Sequence, residues 1–211
     1  MKKTSVAIFG KGDLCIRACE LISKSDKYEL SYVVPVKPEP NWTGSVLNWC
    51  RKNDVTVIHS GNYTDLDPEK YDLGISIFYD KIFSAEYINK AKRLINLHNA
   101  PLPKYRGVSP INWALKNNED EHGVTIHEIE AGIDSGKIIS QMRYSIHPDV
   151  EEVKDVYEKA LKYGYVLFES TIKILDQIQS KEQEESGSSY YNEKQNALLG
   201  NRRNFTRKTS L

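Results

Sequence analysis

The strongest constraint in this sequence is an order of elements, strand then helix, that recurs from Ser5 to His98. Ser5 to Phe9 is apolar with little alternation, the pattern of a strand buried on both faces. Gly10-Lys11-Gly12-Asp13 turns the chain, and Leu14 to Ser23 carries helical spacing. Glu29 to Val36 reads as a second strand, with Pro35, Pro38 and Pro40 ending it and carrying a loop. Ser45 to Asn53 is helical, with Val46, Trp49 and Cys50 on one face. Val55 to His59 predicts a short third strand, Asp72 to Phe78 a fourth and Leu94 to His98 a fifth. Ser84 opens a helix to Lys92 as its N-cap. This alternation argues for an α/β chain, a Rossmann-like and mostly parallel sheet with helices on both faces, joined by right-handed crossovers.

Beyond Pro101 the texture changes. Pro101-Leu102-Pro103-Lys104-Tyr105-Arg106-Gly107 reads as a rigid cationic loop, and Ser109-Pro110 opens a helix to about Leu115. Gly123 to Ile129 and Ile138 to Tyr144 are strand-like, separated by Glu130 to Gly136. From Val150 to about Gln179, Val153, Val156, Tyr157, Leu161, Tyr165, Phe168 and Ile172 have the spacing of a long amphipathic helix. Lys181 to Ser189 is polar and reads as loose. The domain reading is therefore a catalytic domain over 1–180 and a short, loosely ordered extension over 181–211.

Composition excludes several classes. With 211 residues the chain has length for one domain and a short appendage. Lys plus Arg and Asp plus Glu both number 29, so the basic excess of a nucleic-acid binder is missing. No apolar run approaches the ~18 residues of a membrane span. The apolar start ends at Phe9, too short for a signal peptide, so it reads as a buried strand. Cys15, Cys19 and Cys50 are too few and too N-terminal for a disulfide framework, which fits a reducing cytoplasm. Cys15 and Cys19 stand one helical turn apart with no partner histidine, so no metal is expected.

The chemistry concentrates between Asn96 and Gly136. Asn96 and His98 fall on the same side of a strand end, and Leu97 on the other. Ligands of open α/β sheets bind beyond the carboxyl ends of the strands. An amide and an imidazole would therefore point together into the expected cleft. Gly132-Ile133-Asp134-Ser135-Gly136 is a tight loop suited to aim a carboxylate. A carboxylate beside His98 would orient the ring and favour imidazolium. An amide plus an imidazolium is a donor pair for a developing oxyanion. No serine or cysteine offers itself as a nucleophile, which points to direct attack by a substrate amine or water.

Asn96-Leu97-His98, Pro101 to Gly107, Pro110, Trp113-Ala114, Gly123-Val124-Thr125-Ile126-His127 and Gly132 to Gly136 together resemble the 10-formyltetrahydrofolate-dependent formyltransferase family. Their order and spacing match over roughly residues 72 to 145. The resemblance implies the family's Asn, His and Asp trio at Asn96, His98 and Asp134. In that mechanism the acceptor amine attacks the formyl carbon. Asn96 and protonated His98 stabilise the oxyanion, while Asp134 orients His98 and relays the proton. It also implies 10-formyltetrahydrofolate as donor, its pterin bordered by Phe78, Tyr79 and Ile82 and by Ala131, Gly132 and Ile133. His127 is implied as structural support, and His59, His122 and His147 read as surface or loop residues.

The family's acceptors divide the alternatives. Its transformylases acting on glycinamide ribonucleotide resemble one another in a Gly-Ser-Gly-rich first turn that binds phosphate. Here the turn carries Asp13, and tight packing is the preferred reading. Its tRNA enzymes carry a further basic domain, which zero net charge and a short tail disfavour. What remains is a sugar N-formyltransferase acting on a dTDP-, GDP- or UDP-linked amino sugar, with surface-polysaccharide synthesis as its setting. Lys81, Lys104, Tyr105 and Arg106 are the substrate-binding candidates. Tyr79 reads either as a stacking residue or as a core tyrosine, and Arg202, Arg203 and Arg207 as a solubilising tail. Partners are then folate and a nucleotide sugar, with no nucleic acid and no membrane. A homodimer is implied by the resemblance, without an interface legible in the sequence. The competing readings are a glycinamide ribonucleotide transformylase-like enzyme, a non-catalytic binding protein on the same fold and a hydrolase releasing formate.

Overall fold

In the computed structural model residues 2–200 are described. They fall into two compact units. One runs to Leu97 and includes Glu128–Ala131; the other comprises His98–His127 and the chain from Gly132 onward.

The first unit is parallel α/β. Its elements are β1 (Thr4–Gly10), α1 (Gly12–Ser23), β2 (Tyr28–Pro35), α2 (Val46–Lys52), β3 (Leu73–Ile77), α3 (Ala85–Lys90) and β4 (Leu94–His98). The strands lie in the order β2-β1-β3-β4, all parallel. β1 is central, and Val6 through Phe9 are wholly buried, as a strand with partners on both edges and packing on both faces requires. Ser45 and Ser84 cap α2 and α3, each accepting from the backbone amide three residues on. Phe9 anchors an aromatic cluster with Tyr71, Tyr79 and Phe83. The returning segment Glu128–Ala131 adds to the β4 edge. Ile129 N–H donates to the Leu94 carbonyl at 2.8 Å, and Arg93 grips Glu128 through two nitrogens, at 2.6 and 3.3 Å.

The expected strand at Val55 to His59 shrinks to a single bridge, Val33 with Val57. Val33 donates to the Thr56 carbonyl and accepts from Ile58 N–H, both at 2.9 Å. The Gly61 N–H then closes a turn on the Ile58 carbonyl, and Gly61 adopts φ 67°, so the chain leaves before a ladder can lengthen.

The second unit contains β5 (Arg106–Gly107), α4 (Pro110–Lys116), β6 (Glu121–Glu128), β7 (Ile138–Ser145), α5 (Val153–Ile174) and β8 (Tyr190–Tyr191). β6 and β7 are antiparallel, from Glu121 against Ser145 to His127 against Ile138. α5 starts at a capping box, in which Glu152 and Asp155 each bond the other's backbone amide. It buries Val153, Val156, Ala160, Gly164, Leu167 and Phe168 along one stripe. Residues 181–191, whose composition reads as loose, are tied down. Lys181 and Ile138 exchange two backbone hydrogen bonds, and β8 pairs in parallel with β5. These two ties are backbone-to-backbone, which side-chain polarity does not encode. Arg202, Arg203 and Arg207 lie outside the described residues.

Candidate active site

His98 ends β4 and is 8% exposed. Its Nε2 lies 2.9 Å from the carbonyl oxygen of Tyr105, and its Nδ1 lies 3.6 Å from Asp134 Oδ2. The Tyr105 carbonyl can only accept, so Nε2 carries a proton and the ring plane is fixed. Nδ1 faces the carboxylate beyond hydrogen-bond length, which leaves that edge able to serve a third group.

Asp134 is held from several sides. Gly107 N–H donates to Oδ2 at 2.9 Å, and His127 Nε2 stands 3.5 Å from Oδ1. The His98 and His127 rings meet edge to face at 6.4 Å. Asp134 itself adopts φ 49°, a left-handed conformation that costs a non-glycine residue about 1–3 kcal/mol. Burial acts to raise its carboxyl. The electrostatic influence of His98 and His127, the His127 hydrogen bond and the Gly107 amide outweigh burial and hold the carboxyl well below the usual carboxylate range.

Asn96 is the middle residue of β4, half-buried and in register with Ser76, two positions before His98 on the same strand. In the first unit, Phe78 adopts φ 56°, and Tyr79 donates its hydroxyl proton to the Gly61 carbonyl while accepting from Tyr63 N–H. Lys81 Nζ also donates to the Gly61 carbonyl, at 2.8 Å. Ile82 is 70% exposed and Ala131 is exposed. In the second unit, Gly132 and Ile133 are exposed.

The cationic loop is committed to protein partners. Lys104 pairs with Glu119, and the Tyr105 hydroxyl donates to the same carboxylate at 2.7 Å. Arg106 Nε donates to Gln183 Oε1 at 3.0 Å, and its Nη2 reaches Glu185. Tyr191 stacks on Trp113 at 4.2 Å and on Tyr105 at 5.8 Å.

The histidine readings need one correction. His59 and His147 are exposed, but His122 is fully buried. Its Nε2 bonds the Asn99 carbonyl at 2.8 Å, and burial pushes its pKa down to about 4. It faces Tyr105 and Tyr144 edge-on. The cause lies in β6, where Gly123 to His127 are buried on both sides of the strand, so alternation gave no warning. Sequence reasoning also missed Gly107 and Gln183 as supports of Asp134. Their contributions run through a backbone N–H and a contact 49 residues apart, for which no motif stands.

These features stand beside a direct match. The Formyl transferase family model covers residues 23–172. The chain belongs to the formyl transferase family. Among formyl transferases of known structure it is similar to WlaRD, a sugar 3N-formyl transferase solved in the presence of dTDP and 5-N-formyl-THF. The two are 28% identical, with a TM-score of 0.79, over 92% of this chain and 71% of that one. An N-formyltransferase from Helicobacter canadensis, in complex with folinic acid and dTDP-3-aminofucose, is 30% identical with a TM-score of 0.77. That match covers 90% of this chain and 71% of that one. The bifunctional polymyxin resistance protein ArnA of Wigglesworthia glossinidia brevipalpis is 39% identical over 140 residues, 62% of this chain. The chain spans 21% of the length of that curated relative. Among the described residues no helix is long and apolar enough to cross a membrane, and no group of histidine, cysteine and acidic side chains could hold a metal ion.

Proposed function

We propose that this formyl transferase moves a formyl group from 10-formyltetrahydrofolate to the amine of a nucleotide-linked amino sugar. The observation that carries the reading is the His98–Asp134 pair with its Tyr105 anchor, in a family member similar to sugar N-formyl transferases. The acceptor nitrogen bonds to the formyl carbon, the bond from that carbon to the donor nitrogen breaks, and one proton passes from the acceptor amine to the leaving nitrogen. His98 donates from Nδ1 to the oxygen that gains charge, because Nε2 is already spent on Tyr105. Asn96 supplies an amide donor to the same oxygen. Two such donors in a site shielded from water are worth several kcal/mol, since removing one from an oxyanion hole typically costs about 100-fold or more. Asp134, ionised throughout the working pH range, stands beside Nδ1 and relays the proton of the acceptor amine toward the leaving nitrogen.

In this reading Phe78, Tyr79, Ile82, Ala131, Gly132 and Ile133 contribute to folate binding, with exposed Ile82 and Ile133 offering apolar contact. Lys81, Lys104, Tyr105 and Arg106 are assigned to the acceptor. For Lys104 the assignment requires exchange of a partly exposed ion pair with Glu119, a step of low cost. For Arg106, largely buried and also bonded to Gln183, it requires a contact made beside the existing Glu185 and Gln183 partners.

A second observation weighs against glycinamide ribonucleotide. At the first turn of α1, Asp13 N–H donates to Thr43 Oγ1 and the Asp13 carboxylate accepts from Gly44 N–H. A phosphate there would meet a carboxylate and lose an amide. The decisive experiment incubates the protein with 10-formyltetrahydrofolate and a panel of dTDP-, GDP- and UDP-linked amino sugars plus glycinamide ribonucleotide, read by mass spectrometry. Formylation of a nucleotide sugar is expected. Gain of the formyl mass by glycinamide ribonucleotide alone would overturn the acceptor class. Folate binding with no transfer would favour the binding-protein reading.

A further inference from the structure

Gln183 sits in the polar stretch that follows the long helix, 49 residues from Asp134 in sequence. Its side-chain amide spends both N–H groups on one loop. It donates to the carbonyl of Asp134 at 2.8 Å and to the carbonyl of Gly136 at 2.7 Å. Its Oε1 accepts from Arg106 Nε at 3.0 Å. The residue after Arg106 is Gly107, whose N–H holds Asp134 Oδ2. The contacts therefore close a ring: the Asp134 carboxylate to Gly107, along the chain to Arg106, across to Gln183, and back to the Asp134 carbonyl. One side of the ring grips the carboxylate and the other grips the peptide that carries it.

We infer that Gln183 is a positioning residue for Asp134, acting through the backbone of residues 134–136. The inference rests on the functional reading of Asp134 given above. A side chain on a left-handed residue is aimed by its flanking peptide planes. Gln183 holds the plane that follows Asp134 by its carbonyl and, through the Gly136 carbonyl, the plane two peptides further along the same loop. The segment around it is itself anchored at both ends. The Ile138–Lys181 bridge precedes Gln183, and Ser189 follows it, its Oγ accepting from Tyr105 N–H at 2.7 Å. Tyr105 is also the residue whose carbonyl holds His98. Both partners of the His98–Asp134 pair are thus steadied by a segment whose composition reads as loose.

The test compares Gln183→Ala and Gln183→Glu with Glu182→Gln. Q183E keeps an acceptor for Arg106 but presents oxygens to two carbonyls. Glu182 is the neighbouring residue, and its partner is the exposed Lys137. With the acceptor that the wild-type protein formylates, Q183A and Q183E should lose ~10- to 100-fold in kcat with KM for both substrates little changed, as expected for a misaimed group. E182Q should match the wild type. The imidazole resonances of His98 and His127 should move in Q183A and Q183E while those of His122 stay in place. Wild-type kcat in Q183E, or a loss that appears as a parallel rise in KM and a shift of all three histidines, would overturn the inference. Should the wild-type protein formylate nothing, the functional reading fails. The histidine spectra still decide the positioning role, because unmoved His98 and His127 signals in folded Q183E exclude it.

Discussion

His98 Nδ1 stands 3.6 Å from Asp134 Oδ2 while His98 Nε2 bonds the Tyr105 carbonyl at 2.9 Å, so both ring nitrogens face acceptors. The Nε2 edge is spent on the carbonyl, and the Nδ1 edge faces a carboxylate that stands beyond hydrogen-bond length. The Gly107 amide and His127 keep the Asp134 carboxylate in place.

His98→Asn and Asp134→Asn should each lower turnover ~100-fold or more if these groups stabilise charge in the transition state. Steady-state kcat measured beside a thermal melt is the check. Near-normal turnover in either folded variant would remove that residue from the proposed mechanism.

Acid should destabilise the protein through His122. Its folded pKa, about 4, lies below the ~6.5 of an unfolded histidine. The unfolded state therefore binds the proton first as pH falls. The stability is whole above about pH 6.5 and declines toward pH 4, by roughly 3 kcal/mol at most. Asp134, also depressed, adds a loss in the same direction only below the ordinary carboxylate range. An NMR titration should show His122 still neutral at about pH 5.5. A His122→Gln variant should flatten the dependence of unfolding free energy on pH over that window. A His122 that titrates like a free imidazole would contradict the assignment.

Gly107→Ala should damage stability and turnover together. Gly107 sits at φ 90°, and a Cβ there would lie 2.1 Å from the Tyr191 carbonyl oxygen, a backbone atom that cannot swing away. Strain of this kind costs about 1–3 kcal/mol before the clash is counted. Because Gly107 N–H also holds Asp134, kcat should fall as the urea midpoint falls. An alanine variant with an unchanged midpoint would show that β5 and β8 separate freely.

Phe9→Ala should cost ~3–5 kcal/mol. The Phe9 ring is wholly buried and meets Tyr71, Tyr79 and Phe83 edge-on at 6.0, 5.8 and 5.1 Å. Equilibrium denaturation reads the loss. A cost below ~1 kcal/mol would mean that the neighbouring rings collapse into the gap.

Much of the fold was legible in residue order. β4 spans Leu94–His98 as the apolar pattern predicts, Ser84 caps α3 as its context assigns, and the helix expected from Ser45 begins one residue on with Ser45 as its cap. These features are local, set by period and by side chains reaching three residues ahead. The Val55 to His59 segment misled because apolar character licenses a strand only where a ladder has length to form. His122 misled because β6 is buried on both faces, which erases the alternation that marks an inward residue.

The candidate trio was nameable from residues 96 to 136, since each member sits in a short motif. Its support was not. The sequence by itself determined the alternation of strands and helices that makes the sheet parallel, the cap at Ser84, and which amide, imidazole and carboxylate the chain offers. Only the tertiary structure decided that Tyr105 holds His98 by a carbonyl, that Gly107 holds Asp134 by an amide, and that Gln183 grips the peptide beneath it. The reason is physical. Backbone groups are alike at every residue, so what they bond to follows from how distant segments meet, and no residue type announces it.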